Sequence, residues 1–242
     1  MSKGRIHSIE TFAAVDGPGL RVAVFLQGCP QRCIYCHNPD TWNAAGGEEA
    51  APEELVKKII RYRPYFKRGG GVTLSGGEPF MQAEFVTELL KLLKAEKIHT
   101  AVDTCGFYLT PQVKKALEYT DLVLLDIKHT DPGSFKIITK QSFFHTTSFL
   151  AYMKETQKPL WIRQVILPGY TDNEQQIRAL LAMLDGANVE RIELLPYHTL
   201  GRQKWDELGI SYEIAHIHPP SAETMHTLRR LTEAYLHKKS AP

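Results

Sequence analysis

The sequence predicts an α/β fold, a partial (βα)6 barrel with a parallel sheet and its helices outside. Three observations carry this. Short β-branched or leucine-rich runs alternate with stretches of helical period, the mark of repeated strand–helix units. The unusual polar residues fall almost all at the C-terminal ends of those runs. A chain of 242 residues, 43% of them hydrophobic, is long enough for one large core.

The first run, 21–27, leads into a loop over 28–39 that holds three cysteines among Gly28, Pro30 and Pro39. Pro52 stands where a first helical turn begins, with Leu55, Ile59 and Ile60 following at helical spacing. Gly69, Gly70 and Gly71 lead flexibly into the second strand, 72–75, and are too few to separate two cores. Gly76, Gly77 and Glu78 come next, and Phe85, Leu89, Leu92 and Leu93 mark the following helix. The third strand, 99–103, ends at Asp103 and Thr104, before a helix start at Pro111. The fourth, 122–127, carries Asp126, Ile127 and Lys128 at its end. The fifth, 160–166, contains Arg163, and Asp172 opens the next helix. The sixth, 191–196, runs into Tyr197 and His198, and Ser221 starts a C-terminal helix over 221–237. The polar tail 238–242 is expected to fray. A single domain over 1–242, with its core at about 15–238, is the expected organisation.

In barrels of βα units the C-terminal strand edge carries the active site, so six segments are expected to converge on one mouth. Six units rather than eight leave the barrel open on one side, which admits a large substrate.

Lys and Arg total 29 against 27 Asp and Glu, a net charge of +2, with no run of one sign to bind nucleic acid or a membrane surface. No apolar run approaches a bilayer span, and no apolar stretch follows the charges of the N-terminus. A soluble cytoplasmic protein is expected.

Four cysteines, three of them at Cys29, Cys33 and Cys36, do not form the pattern of a secreted disulfide framework; such crowding in a reducing compartment points to metal. Three thiolates can ligate three irons of a four-iron four-sulfur cluster and leave the fourth open. The alternative is a zinc knuckle, with His37 completing a Cys3His site, but a structural zinc loop needs no partner motifs, whereas this one follows a buried strand and shares its edge with several. Asp126 and Lys128 alternate onto one face, either to bind a ligand in the mouth or to pair with each other. Gly-Gly-Glu alone can be an ordinary turn, and His198 a satisfied core histidine. Cys105 reads as a buried thiol outside the site.

The segment from Cys29 to His37, with Tyr35 directly before the last cysteine, resembles the cluster loop of the radical S-adenosylmethionine superfamily. Arg5 to Ser8, Asp16-Gly17-Pro18-Gly19, Cys36 to Trp42, Gly70 to Thr73, Trp161-Ile162-Arg163, Leu195 to His198 and Pro219-Pro220 are similar to the pyruvate formate-lyase-activating enzyme family. The resemblance implies an oxidoreductase of the formate-C-acetyltransferase-activating type, using a 4Fe-4S cluster and S-adenosylmethionine. Cys29, Cys33 and Cys36 would be the catalytic cluster ligands. Tyr35, Cys36, His37, Gly76, Gly77, Glu78, Asp126, Ile127, Lys128, Arg163 and His198 would contact the cofactor, Gly-Gly-Glu at its methionine amino group. Asp103 and Thr104, with backbone near Leu124, would form a monovalent-cation site for sodium or potassium.

The implied mechanism is one-electron reduction of the cluster, cleavage of the sulfonium, and a 5′-deoxyadenosyl species that takes hydrogen from a glycine of a partner protein. Asp16, Gly17, Pro18 and Gly19 would dock that partner, a glycyl radical enzyme of pyruvate formate-lyase type; a plain tight turn is the other reading. No cysteine lies between Cys36 and Cys105, so no ferredoxin-like insert is present, and electrons would come from a flavodoxin or ferredoxin to a monomer. The alternatives are a radical enzyme acting on a small molecule or RNA, or a zinc-stabilised binding module. One stretch departs from the family: where relatives have a Thr-Gly-x-Ser-Asn-like turn, residues 135–145 lack the glycine and asparagine, which is expected to alter a loop near the mouth.

Overall fold

A computed structural model describes residues 2–67 and 69–240; Met1, Arg68, Ala241 and Pro242 lie outside the described residues. The chain forms two compact units, one of Met1–Pro30 with Thr41–Leu124, the other of Gln31–Asp40 with Leu125–Pro242.

In the first unit β1 (Gly4–Ala13), β2 (Arg21–Leu26), β3 (Glu48–Ala50), β4 (Gly71–Gly76) and β5 (His99–Thr104) hydrogen-bond in the order β3-β1-β2-β4-β5, with the start of β6 (Leu122–Asp126) beside β5. β2–β4 and β4–β5 pair parallel, and β1 runs antiparallel to both β2 and β3. Val22, Val24, Leu26, Val72 and Leu74 are all fully buried, and Ala23 and Thr73 between them are buried too. Strands covered on both faces read as continuous apolar runs. Helices α1 (Pro52–Ile60), α2 (Ala83–Ala95) and α3 (Pro111–Glu118) follow. Pro52 and Pro111 sit in the first turn of their helices, and the Thr110 hydroxyl caps α3 by accepting from Val113 N at 3.3 Å.

Arg21 is the exception in this core, a guanidinium with no exposure. It donates to Thr73 Oγ1 at 2.7 Å, Val72 O at 2.7 Å, Pro18 O at 3.0 Å and Gly69 O at 3.1 Å. Burial lowers its pKa to about 10. Those bonds tie the turn before β2 to the segment before β4, and Thr73 Oγ1 donates onward to Asp16 O at 2.5 Å. The Asp16–Gly19 turn thus stands at the start of β2, at the opposite end of that strand from Cys29.

The second unit holds the end of β6, then α4 (Pro132–Thr139), α5 (Phe144–Thr156), β7 (Leu160–Ile166), α6 (Glu174–Met183), β8 (Val189–Pro196), α7 (Arg202–Glu207) and α8 (Ala222–Ser240). β7 lies beside β6 and pairs parallel with β8. Ile166, Ile177, Leu194, Met225 and Leu228 form a core between the strands and α6 and α8. Caps come from Asp131, Asn173 and Ser221, accepting from Ser134 N at 2.8 Å, Gln176 N at 2.9 Å and Thr224 N at 3.0 Å.

All six expected strands are present, and the α/β class with mainly parallel pairing is as the sequence predicts. β1 and β3 were not expected. β1 alternates less and more exposed residues, with polar side chains at half its positions, the pattern of an antiparallel strand outside the βα repeat. The helix expected from Asp172 starts one residue later, capped by Asn173, because Asp172 Oδ1 accepts from Gly169 N at 2.9 Å. Lys238 to Ser240 of the expected fraying tail are helical.

The divergent stretch 135–145 is mostly helix rather than loop. It contains the end of α4 and the start of α5. Lys140 ends α4 in the left-handed conformation, φ 60 and ψ 19, and its N–H returns to Lys136 O at 2.9 Å. A Cβ in that conformation is strained, which is why glycine prevails at such caps. Lys140→Gly should therefore raise stability by up to about 1 kcal/mol, net of the entropy glycine adds to the unfolded chain. Chemical denaturation should show a higher midpoint at unchanged slope, with Lys140→Ala giving no gain.

Candidate functional site

In the first unit the segment after β4 is laid directly on the segment after β2. Gly77 N donates to Leu26 O at 2.9 Å and Glu78 N to Gly28 O at 2.8 Å. A Cβ on Gly77 would stand 2.1 Å from Gly28 O, and one on Gly76, whose φ is +111, 2.3 Å from Leu26 N. Both glycines are required by this backbone approach, which sets the base from which Cys29 projects.

Glu78 is fully buried. Its carboxylate accepts from Phe80 N at 3.0 Å, Thr104 Oγ1 at 2.8 Å, Cys105 N at 2.9 Å and Cys105 Sγ at 3.0 Å. Burial holds its carboxyl above the usual glutamate range despite those donors. The Thr104 hydroxyl is thereby committed to Glu78, while Asp103 Oδ2 accepts from Ser75 Oγ at 3.0 Å. Cys105, set apart on the sequence alone, is a structural partner of Glu78.

In the second unit the loop Gln31–Asp40 has almost no regular structure, and its backbone is served from afar. Arg32 N donates to Thr139 O at 2.9 Å and Ile34 N to Ile138 O at 3.0 Å, so the last carbonyls of α4, which have no partner within the helix, hold the loop. Trp205 Nε1 donates to Cys36 O at 2.8 Å, and Lys204 Nζ bonds Asn38 Oδ1 at 2.8 Å and Asp40 Oδ2 at 2.9 Å. The His37 ring stacks on His198 with centroids 4.0 Å apart, and burial first, then His198, lower its pKa. Cys36 N closes a turn onto Cys33 O at 3.0 Å.

Tyr35 is buried, and burial raises its phenol well above the ordinary value. Lys128 lies 5.7 Å from its ring centre and pairs with Asp126. Burial works against the Lys128 charge, but Asp126, Tyr35 and Cys33 outweigh it and hold the ammonium above its ordinary value. Ile127 N donates to Arg163 O at 2.9 Å, and Arg163 Nε to Glu193 Oε2 at 3.0 Å. The Tyr35 hydroxyl, Asp126 Oδ1 and His198 Nδ1 are buried without a hydrogen-bond partner among the described residues. Gln31 Nε2 and Gln164 Oε1 share that condition. Neither glutamine side chain was singled out from the sequence, although Gln31 lies within the cysteine loop; Lys204 and Trp205 belong to no motif.

The donor set suits an iron–sulfur cluster and a polar zwitterionic cofactor. Soft thiolates stand on a rigidly held loop, and buried polar atoms are left for a ligand to satisfy. Among the described residues no three His, Cys, Asp or Glu side chains gather closely enough for a single ion.

Replacing Glu78 by Gln places amide hydrogens against donors that now face a carboxylate. Glu78→Gln should cost about 1–3 kcal/mol in thermal unfolding. Unchanged stability would mean that the buried carboxylate does not organise the ends of β4 and β5.

Residues 23–181 match the model of the Radical SAM superfamily. The chain is 49% identical over 238 residues to the pyruvate formate-lyase-activating enzyme of Clostridium pasteurianum, covering 98% of each. It is 44% identical over 239 residues to the pyruvate formate-lyase 1-activating enzyme of Escherichia coli strain K12, covering 97% of each. The crystal structure of a domain of pyruvate-formate lyase-activating enzyme from Bacteroides vulgatus superposes with a TM-score of 0.58 at 26% identity, over 69% of this chain and 95% of that one. On the strength of a relationship that runs through nearly every residue, the chain belongs to the Radical SAM superfamily and, within it, to the family of pyruvate formate-lyase-activating enzymes.

Proposed function

We propose that this protein installs a glycyl radical in a partner enzyme of the pyruvate formate-lyase type, using S-adenosylmethionine and a 4Fe-4S cluster. The observation that carries the reading is the set of orphaned polar atoms in the second unit: Tyr35 OH, Asp126 Oδ1 and His198 Nδ1. A buried polar atom without a partner costs free energy, and a bound cofactor removes that cost.

Cys29, Cys33 and Cys36 would hold three irons. When bound, the cluster supplies single electrons, and S-adenosylmethionine supplies the group that takes up a hydrogen atom. The Gly76-Gly77 backbone offers close approach to the methionine end, with Glu78 fixing the strand ends beneath it. Lys128, kept charged by Asp126, presents a cation to a carboxylate, and Tyr35, Ile127, Arg163, His37 and His198 shape the remaining contacts. Asp103 and Thr104 are our candidates for a monovalent cation. A flavodoxin or ferredoxin would supply electrons to a monomeric enzyme. Among the described residues no helix is long and apolar enough to cross a membrane.

The deciding experiment is anaerobic: which co-expressed protein acquires a glycyl radical signal by electron paramagnetic resonance. Colourless protein with stoichiometric zinc and no sulfide would end the proposal.

Removing one ligand and removing one cofactor contact should separate cleanly. Cys33→Ala should lose the reconstituted cluster and all cofactor cleavage. Lys128→Ala and His198→Ala should keep normal iron content and bind S-adenosylmethionine about tenfold more weakly, the loss of one good polar contact. Parent-like binding by both variants would sink these assignments.

The partner's glycine loop is assigned to Asp16, Gly17, Pro18 and Gly19. Gly17 and Gly19 have φ of +124 and +67, and the backbone is pinned by Arg21 and Thr73, so the turn is preformed. Asp16→Ala should slow radical formation on the partner several-fold while uncoupled cofactor cleavage stays near the parent rate. A parallel fall in both rates would place Asp16 in the cofactor pocket or the fold instead.

A further inference from the structure

We infer that Gln31 is a positioning residue that tunes the cluster: its side-chain amide donates an N–H···S hydrogen bond to Cys33 when that sulfur ligates iron, and so raises the reduction potential. This rests on the function proposed above.

Gln31 is 2% exposed, unusual for a glutamine in an irregular loop. Its Oε1 accepts from Cys33 Sγ at 3.3 Å, while its Nε2 is buried with no partner among the described residues. The side chain has little room to leave. Arg32 Nη1 donates to Gln31 O at 2.8 Å, and the next backbone donors, Arg32 N and Ile34 N, are bound to the end of α4.

A cysteine that ligates iron does so as the thiolate, without its proton. A carbonyl oxygen facing that sulfur is then repelled, and the hydrogen bond seen with the thiol is lost. Turning the terminal amide by half a revolution resolves this. The torsion is soft, and the amide's oxygen and nitrogen exchange places at almost no steric cost. Nε2 then takes the place of Oε1, which now lies 3.3 Å from Sγ, and donates to the anionic sulfur. The orphaned donor disappears, and a buried carbonyl oxygen, better tolerated without a partner, takes its place. The geometry is therefore matched to the ligated sulfur rather than to the thiol.

An added electron increases the negative charge on the cluster and its sulfurs. A donor aimed at one of those sulfurs favours the reduced form, so hydrogen bonds to sulfur move the potential upward. Gln31 would make the cluster easier for a protein donor to reduce.

The test is the midpoint potential of the reconstituted protein, measured by titration with electron paramagnetic resonance detection. Gln31→Met keeps the length and removes the donor. At fixed poise its ratio of reduced to oxidised cluster should fall by up to about tenfold, equivalent to 59 mV for one electron. Iron and sulfide content and S-adenosylmethionine affinity should match the parent. An unchanged potential in a variant with a full cluster would overturn the inference and leave the proposed function standing. If Gln31→Met cannot hold the cluster, the parent decides. With glutamine labelled in its side chain with nitrogen-15, pulsed resonance of the reduced cluster should show a coupled nitrogen, and its absence overturns the inference. A parent that assembles no cluster at all overturns both readings.

Discussion

A loop that must present thiolates to a metal cannot also satisfy its own backbone, and a helix that ends leaves carbonyls without partners. In the second unit each need answers the other: Thr139 and Ile138 at the end of α4 receive Arg32 N and Ile34 N. The positions of Cys33 and Cys36 depend on this pair of bonds. Trp205 and Lys204 then hold the far side of the loop at Cys36 and Asn38. Two helices distant in sequence therefore support one short irregular segment, and changes in either reach Cys33 and Cys36 without touching them.

The first unit solves a related problem with a buried charge. Removing the Glu78 carboxylate from water is costly, and the donors from Phe80, Thr104 and Cys105 offset that cost only while each stays in place. The consequence is rigidity. The ends of β4 and β5 are tied through one side chain, and the Gly76-Gly77 backbone rests on Leu26 and Gly28 without a Cβ between. Arg21 does the same at the opposite end of these strands, where its donors fasten Pro18 and Gly69. The parallel strands thus carry a polar clamp at each end, and the apolar middle contributes the burial.

These clamps clarify the divergent stretch. Its sequence lacks the family's glycine, yet Lys140 adopts the left-handed cap conformation and α4 still delivers its carbonyls to the loop. The functional requirement falls on the helix end, which several sequences can build at different energetic cost.

The strands of the βα repeat and the cysteine spacing were legible in the sequence because each is a local pattern: fully buried strands are apolar throughout, and the loop's three cysteines lie within eight positions. The Gly-Gly-Glu segment and the Asp126–Lys128 pair were likewise visible, as was the choice open to that pair between ligand and ion pair. The tertiary structure supplied the pairing. β1 escaped notice because an antiparallel strand outside the repeat alternates polar and apolar residues as many surface segments do. The partners of Glu78, the carbonyls of α4, and the side chains of Gln31, Lys204 and Trp205 were invisible for a different reason. A hydrogen bond between residues 26, 104 or 169 positions apart leaves no periodicity in the chain, and only folding brings donor to acceptor.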